Sequence, residues 1–566
     1  MKRSTGMLTV CIVGSLLGGP VRAEESVDSP WLTAKPEAVR SWQEMRFGMF
    51  IHWGPVSLRG TEIGWSRKGP RRGRRKGGTG SVPMAEYDNL YKRFNPVEFD
   101  ADQWVRIAQQ SGMKYLVFTT KHHDGFSTFD SQHSEYDIMS TPYGKDICRQ
   151  LADACHRHEL TLGWYYSPRD WYHADFATAT HDRYLEFYLG QLRELCSNYG
   201  KVGVLWFDGL DSPRKLWKDA PERSFAMLRR LQPDIVLNNR GGLRGDFDTP
   251  EQRIGGFNRE RPWETCMTIC RQWAWKPNDR MKSLEECLHA LIRAAGGDGN
   301  LLFNVGPMPD GRIEPRQAER LQEMGQWLRE YGESIYGTRG GPFKPGPWGA
   351  ATCRGNRVYL HVLDWRGAQE LELPLIGREL TGSRLLTGGD VQLSKTESGW
   401  RLNVAKAHQQ ELNTLIELTL DGAALDISAA SIHARPSGSL AVGKPAKASN
   451  TYRNQHDAYG PQKALDDDPE TRWATDAGTQ HAWLAVELGE PKTIGRAVIV
   501  EGRWNRVRKF EIQVRQDDRW RTVATGERLG ERAEITFTPV TARHFRLTIL
   551  DSTEGPTIWE LQLFPK

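Results

Sequence analysis

The chain has 566 residues, more than a single domain of roughly 100 to 200 residues accommodates. With 38% apolar and 26% charged residues and a mean hydropathy of -0.60, it is neither disordered, nor a small disulfide scaffold, nor a protein of many membrane spans. The net charge of +5, from 76 Lys+Arg against 71 Asp+Glu, is too small an excess to indicate nucleic acid as a partner. Two counts stand out, 21 Trp and 56 Gly: indole rings suit flat apolar ligand faces, and Gly permits the backbone angles of long loops.

Lys2 and Arg3 precede an apolar run over residues 7–17, and Val21-Arg22-Ala23 offers the small residues that a signal peptidase needs. Residues 1–23 are therefore expected to be a cleaved export signal, with the mature chain starting at Glu24 and the protein secreted or periplasmic. The run falls short of the roughly 20 residues of a membrane span, so no span is expected. Cys11 leaves with the signal. The other cysteines (Cys148, Cys155, Cys196, Cys266, Cys270, Cys287 and Cys353) are scattered and odd in number, which allows one or two disulfides but no cysteine framework or zinc site.

Within residues 67–76, seven of ten are basic (Arg67, Lys68, Arg71, Arg72, Arg74, Arg75, Lys76), and removing them from the +5 total leaves the rest at -2. Such a run is either a solvated loop or a patch that attracts an acidic substrate or surface. Short β-rich runs over 47–53, 115–120, 161–166, 202–207, 234–239, 264–269 and 300–305 alternate with amphipathic stretches over 101–111, 146–158, 181–199, 222–231 and 283–295. Doubly buried strands with helical crossovers make a parallel sheet. Seven runs plus an expected eighth, with no Gly-rich phosphate turn after the first, give the fold class: α/β, a (β/α)8-like barrel over 24–344. Alternating segments without helical period follow over 345–425, a β-sandwich; 426–439 is a linker rich in Ala and Ser; 440–566 is again all-β.

Barrel active sites are built at the C-terminal ends of the strands. Those ends carry His52-Trp53-Gly54, Lys121-His122-His123-Asp124-Gly125-Phe126, Trp164-Tyr165-Tyr166-Ser167, Trp206-Phe207-Asp208-Gly209 and Asn238-Asn239-Arg240. Asp208 ends an otherwise apolar strand, where a carboxylate is costly without partners; it is either a reactive group or a structural cap of the next turn. Glycoside hydrolysis with retention needs a second carboxyl group about 5 Å away. Glu251 and Glu264 are the candidates, with Glu260 a weaker third. The histidines could hold a metal together with Asp124, but the first strand lacks a His-x-His pair and the later strands lack His; imidazoles equally serve sugar hydroxyls.

The segment Met45-Arg46-Phe47-Gly48-Met49-Phe50-Ile51-His52-Trp53-Gly54, the Lys121 to Phe126 run, Trp206-Phe207-Asp208-Gly209 and Asn304-Val305-Gly306-Pro307 together resemble glycoside hydrolase family 29, the retaining α-L-fucosidases. The resemblance spans roughly residues 30–425 and implies an exo-acting enzyme for fucosylated glycans, with no cofactor for catalysis. It implies Asp208 as nucleophile and His52, His122, His123, Tyr166, Trp206 and Arg240 as fucose contacts, with Trp65 near the sugar methyl group and Trp273 a further aromatic of the pocket. Residues 245–251 resemble the branch acting on α1,3/4-linked fucose in branched glycans, which implies Glu251 as acid/base; in the other branch the carboxylate follows a Trp, which would be Glu264. The basic run just past Trp65 departs from the family pattern.

The stretch from Lys463-Ala464-Leu465-Asp466-Asp467-Asp468 through Thr471-Arg472-Trp473, then Trp483 to Leu488 and Glu560-Leu561-Gln562-Leu563, resembles the factor 5/8 type C (discoidin) domain, which includes carbohydrate-binding modules of family 32. Oxygen ligands from Asp468, Thr471 and Glu560 would suit a structural calcium; otherwise the acidic run is a solvated turn. Asp467 stands where the pattern usually has Gly, and Trp504 and Tyr459 are candidate stacking groups. The rival to an enzyme is a binding-only, lectin-like protein.

Overall fold

The computed structural model describes residues 33–73, 77–210, 214–365, 368–432, 438–468 and 471–565. The expected export signal, the basic residues Arg74, Arg75 and Lys76, and part of the expected linker lie outside the described residues.

Seven strands, β1 (Phe47–Ile51), β2 (Tyr115–Lys121), β3 (Thr161–Tyr166), β4 (Val204–Phe207), β5 (Val236–Leu237), β6 (Glu264–Thr268) and β7 (Asn300–Val305), form one sheet in the order β5-β4-β3-β2-β1-β7-β6. Every neighbouring pair is parallel. Before, between and after the strands run α1 (Pro36–Met45), α2 (Ala101–Gln110), α3 (Ile147–Arg157), α4 (His181–Ser197), α5 (Ala220–Leu231), α6 (Leu284–Gly296) and α7 (Pro315–Tyr331). Side chains of Asp100 and Asp146 cap α2 and α3, and Ser283 with Glu286 forms a capping box on α6, satisfying amides that the first turn leaves unpaired.

The expected eighth strand is reduced to a bridging segment. Phe247 pairs in parallel with Asn238 beside β5, while Asp248 and Glu251 pair in parallel with Trp263 and Cys266 on the β6 side. Residues 247–251 thus join the two edges of the curled sheet, and they do so through Asp-Thr-Pro, a sequence without strand pattern.

Period-two alternation sorts the strand residues. Phe50, Tyr115, Val117, Tyr165, Val204, Trp206, Cys266 and Leu302 form a core inside the curl. Met49, Ile51, Leu116, Phe118, Trp164, Tyr166, Leu205, Phe207 and Phe303 belong instead to the core shared with the helices. Gly48 makes the interior possible: a Cβ there would sit 2.4 Å from the Tyr115 ring, which crosses the floor of the barrel.

Beyond the barrel, a five-stranded antiparallel sheet built on β8 (Gly349–Arg354), β9 (Arg357–Val362), β11 (Leu380–Leu385) and β14 (Thr414–Leu420) faces a three-stranded one of β10 (Glu370–Pro374), β12 (Gln392–Lys395) and β13 (Gly399–Asn403). They enclose a separate core around Leu360, Trp400, Leu402 and Ile416. The last module has its own core, including Trp473, Leu484, Phe510 and Leu547, between long antiparallel strands such as β15 (Ala482–Val500) and β18 (Arg532–Ser552), with β16 (Val507–Gln516) and β17 (Arg519–Gly526) alongside and β19 (Glu560–Phe564) on β15. The seven cysteines after residue 23 are free and buried, so no disulfide forms among them. Among the described residues no helix is long and apolar enough to cross a membrane.

Candidate active site

A cavity of about 420 Å³ opens at the C-terminal ends of the barrel strands. Its hub is Asp208, one residue beyond β4, facing inward because it keeps the parity of Val204 and Trp206. Asp208 Oδ2 accepts the Tyr165 hydroxyl at 2.9 Å, and Oδ1 accepts Arg240 Nη1 at 3.1 Å. The same Nη1 donates to Glu251 Oε2 at 2.9 Å. One nitrogen touching both carboxylates keeps these two oxygens within about 6 Å of each other, which suits the short separation of a retaining pair.

Arg240 is held on every side. Its Nε donates to Thr249 Oγ1 at 2.8 Å, its Nη2 to Thr249 O at 3.0 Å, and its guanidinium lies 4.8 Å from the Trp206 ring centre. Burial works against its charge, but Asp208 and Glu251 outweigh burial and hold its pKa above the ordinary value, so it stays a fixed cation. Backbone bonds on either side of Glu251, Cys266 N to Pro250 O at 3.1 Å and Gln252 N to Cys266 O at 2.9 Å, fix it in the bridging segment.

His52 and His123 present defined tautomers, inferred from their partners. Asn304 Nδ2 donates to Trp273 O at 2.7 Å, which turns Oδ1 toward His52 Nδ1 at 2.6 Å; Nδ1 is therefore the donor and Nε2 the acceptor. Burial pushes the His52 pKa down to about 4, so this imidazole is neutral. His122, stacked on Tyr165 at 5.5 Å, is held well below its ordinary value by burial and by His123 and His52. His123 Nδ1 meets Ser167 Oγ at 2.6 Å; Ser167 donates to Arg169 O at 2.9 Å, so His123 is the donor there, and its Nε2 lies 3.5 Å from Asp208 Oδ2.

Ligand atoms of His122, His123 and Asp208 lie within 4.8 Å of one another, the spacing of a metal site. The donor set does not fit one: the Arg240 cation already sits 3.1 Å from Asp208 and would repel a second. Asp124, the other expected ligand of a metal site, instead accepts the Tyr87 hydroxyl at 2.6 Å.

Indoles wall the pocket. Trp65, 37% exposed, stands edge-on to His123 with ring centres 5.5 Å apart, and Trp273 lies 4.8 Å from His52. Glu62 ties these two walls together: its carboxylate accepts the Trp273 and Ala274 amides at 3.0 and 3.1 Å from the loop that carries Trp65.

Two expected site residues are placed elsewhere. Tyr166 points away from the pocket, its hydroxyl donating to Gln191 Oε1 of α4 at 2.9 Å; the inward tyrosine is its neighbour Tyr165, as strand parity requires. Glu264 is wholly buried beneath the pocket, accepting the Tyr115 hydroxyl and Trp206 Nε1 (2.9 Å), and burial lifts its pKa to about 7. It has no access to a substrate, whereas Glu251 lines the cavity with a 43% exposed side chain. Glu260 is exposed on another face. His52, Trp65, His122, His123, Trp206, Asp208, Arg240, Glu251 and Trp273 all come together in the cavity. Sequence reasoning missed Glu62, Tyr165, Arg169, Thr249 and Cys266; only Tyr165 carried a signal, the parity of its strand. The basic run is not wholly solvated: Arg67 is buried against Asp88 at 2.6 Å, and Arg71 stacks between Trp65 and Trp171 at 4.9 and 4.6 Å.

In the last module both Glu560 carboxylate oxygens are buried, with no hydrogen-bond partner among the described residues. Burial, then Asp467, Asp466 and Asp468, push the Glu560 pKa up to about 8. An orphaned carboxylate beside three more acids fits a divalent cation. Thr471 Oγ1 is turned to Asp466, at 2.9 Å, and Asp467 adopts a φ of 55°, which explains why the pattern usually places Gly there. The candidate stacking groups Tyr459 and Trp504 each have a face covered by Arg472, at 5.0 and 5.1 Å.

A parallel barrel whose strand ends hold two carboxylates on one fixed arginine, walled by neutral imidazoles and indoles, is the arrangement of a glycoside hydrolase. Residues 19–333 match the family described as Alpha-L-fucosidase, and residues 445–561 match the F5/8 type C domain. The human plasma α-L-fucosidase is 31% identical over 388 residues, covering 62% of this chain and 82% of that protein. The structure of α-L-fucosidase isoenzyme 1 from Paenibacillus thiaminolyticus superposes with a TM-score of 0.60 at 33% identity, over 68% of this chain and 99% of that one. A family 29 α-L-fucosidase from Bacteroides thetaiotaomicron, trapped as a covalent intermediate with 2-fluoro-fucosyl fluoride, aligns with a TM-score of 0.61 at 26% identity, over 69% and 97% of the two chains. The chain belongs to the α-L-fucosidase family, with a C-terminal F5/8 type C domain, and its activity is that of a glycoside hydrolase acting on α-L-fucosides. These relatives are hydrolases and give no support to the binding-only alternative.

Proposed function

We propose that the protein removes terminal α-L-fucose by double displacement, with Asp208 as nucleophile and Glu251 as acid/base. The observation that carries this is the single Arg240 nitrogen shared by both carboxylates at the cavity wall. Asp208 attacks the anomeric carbon as its bond to the aglycone oxygen breaks, and Glu251 passes its proton to that oxygen. Glu251 then takes a proton from water, which attacks the same carbon and releases Asp208. The Tyr165 hydroxyl aims the nucleophile, Arg240 remains cationic throughout, and His52 Nε2 accepts from a sugar hydroxyl. The covalent intermediate trapped in the Bacteroides relative supports the two-step route.

The favoured linkage is α1,3/4 in branched glycans, supported by the resemblance of residues 245–251 and by the place of Glu251 in the cavity. Residues 1–23 direct export to the periplasm or medium, which N-terminal sequencing of the mature chain at Glu24 checks. The F5/8 type C domain binds glycan and takes a structural calcium through Glu560 and Asp468, with Thr471 closing the acidic turn. Catalysis needs no metal or other cofactor. The test compares Asp208→Asn and Glu251→Gln with the parent on an aryl fucoside and on a Lewis trisaccharide. Asp208→Asn should abolish turnover of both. Glu251→Gln should lose roughly 100- to 10,000-fold on the trisaccharide, whose leaving group needs a proton, and less on the aryl fucoside. Parent-like rates in Asp208→Asn would overturn the assignment.

A further inference from the structure

The loop that carries Trp65 packs on a core of its own. Val56, Ile63, Val82, Tyr87, Leu90 and Ala274 form a small buried cluster, separate from the two cores of the barrel sheet. Short strands Arg67–Gly69, Gly78–Thr79 and Val82–Pro83 pair beside it, and the short helix Met84–Tyr87 follows. Arg67, itself buried, grips Asp88 through Nε at 2.6 Å and Nη2 at 2.7 Å, and the Val82 amide donates to Ser66 O at 2.9 Å. These bonds tie Trp65, the strands and the helix into one unit. The seat of that unit on the barrel decides where the indole stands.

A buried relay sets the seat. Asp124 lies three residues beyond β2, directly after His122 and His123, and is 3% exposed. Its Oδ2 accepts the Tyr87 hydroxyl at 2.6 Å, and the oxygen of that hydroxyl accepts the Gly64 amide at 2.7 Å. With the amide on its oxygen, Tyr87 turns its proton toward Asp124. Gly64 precedes Trp65, has a φ of 63°, and approaches the histidines so closely that a Cβ would sit 2.8 Å from His122 Nδ1. Trp65 then stands edge-on to His123, with ring centres 5.5 Å apart. Breaking the relay would strand the Gly64 amide, and a buried donor without an acceptor is costly enough to shift the loop.

We infer that Asp124, acting through Tyr87 and the Gly64 amide, is a positioning residue that holds Trp65 in the substrate-binding wall beside His122 and His123. This rests on the fucosidase reading, in which Trp65 contacts the sugar. Asp124 and Tyr87 stand behind the residues that line the cavity. Asp208, Arg240 and Glu251 are held instead by Tyr165, by Thr249 and by the closing segment. The relay therefore acts on substrate binding and not on bond cleavage.

The test measures KM and kcat of the full-length enzyme on an aryl fucoside for the parent, Tyr87→Phe, Trp65→Ala and their double variant, and for Asp124→Ala and Asp124→Asn. Tyr87→Phe keeps the ring that fills the small core; it should raise KM roughly tenfold while kcat stays within about threefold. Trp65→Ala should raise KM at least as much. In the Trp65→Ala background, Tyr87→Phe should add less than about twofold, because the relay has no indole left to hold. Asp124→Ala should match Tyr87→Phe, whereas Asp124→Asn keeps an acceptor for the hydroxyl and should recover most of the parent KM. If Asp124→Ala fails to fold, the Tyr87 and Trp65 cycle decides alone. A parent-like KM in Tyr87→Phe or in Trp65→Ala, or an equal effect of Tyr87→Phe in both backgrounds, overturns the inference. Failure of the parent itself on the aryl fucoside would instead sink the fucosidase reading.

Discussion

Glu264→Gln separates the two carboxylates that the sequence left open, because the structure gives Glu264 a signature Glu251 cannot share. Glu264 is 0% exposed, and burial raises its pKa from 4.5 to about 7 despite the Tyr115 and Trp206 hydrogen bonds. A raised folded value means that the native state holds the proton more tightly than the unfolded chain. The stabilisation is fully present below pH 4.5 and is lost as the pH rises through about 7. Roughly two and a half units at 1.36 kcal/mol each amount to about 3 kcal/mol. Gln keeps the size of the side chain and an acceptor for Trp206 Nε1 but cannot ionise. Guanidinium unfolding followed by tryptophan fluorescence should therefore show the parent losing about 3 kcal/mol relative to the variant between about pH 4 and pH 8. Hydrolysis of a fucoside with a poor leaving group should stay within a few-fold of the parent. A variant with the same pH profile as the parent refutes the burial argument, and a loss of roughly 100-fold or more on the poor leaving group would make Glu264 the acid/base.

Three further outcomes follow from the same geometry. Tyr165→Phe removes a hydrogen bond to a carboxylate, worth about 1.5–3 kcal/mol, so kcat/KM should fall roughly 10- to 100-fold, whereas Tyr166→Phe should leave it within a few-fold. The folded pKa of His52 is depressed to about 4, so its share of stability is present above pH 6.5 and lost as the pH falls through about 4; its ring resonances should not titrate between about pH 5 and 8 in an NMR titration. Calcium should raise the melting temperature of the C-terminal module in calorimetry, and chelation or Glu560→Gln should abolish that response; an unchanged response in the variant would rule out the Glu560 site.

How much of this was legible in the sequence depended on whether the signal was periodic. The seven barrel strands announce themselves as apolar runs, and parity along them decides which side chains reach the interior. Applied to β3, parity already favours Tyr165, since Trp164 and Tyr166 share the outward face with the helix-packed residues; the resemblance pointed to Tyr166, and the alternation outranks it. The closing segment was illegible for the opposite reason. Residues 247–251 join both sheet edges by isolated bridges, needing only a few backbone bonds and no apolar pattern, so Asp and Pro are tolerated there. Glu62 gave no signal at all: a lone acid between Thr61 and Ile63 becomes meaningful only when the fold brings the amides of Trp273 and Ala274 to it. Asp208 was readable because it ends a strand, whereas Glu251 lies in the closing segment and was chosen over Glu264 only through the resemblance of residues 245–251. Arg240 and Trp65 were legible as pocket residues but not in what they hold, because Arg240 acquires its two carboxylates, and Trp65 its Arg71, only through loops whose sequences carry no period.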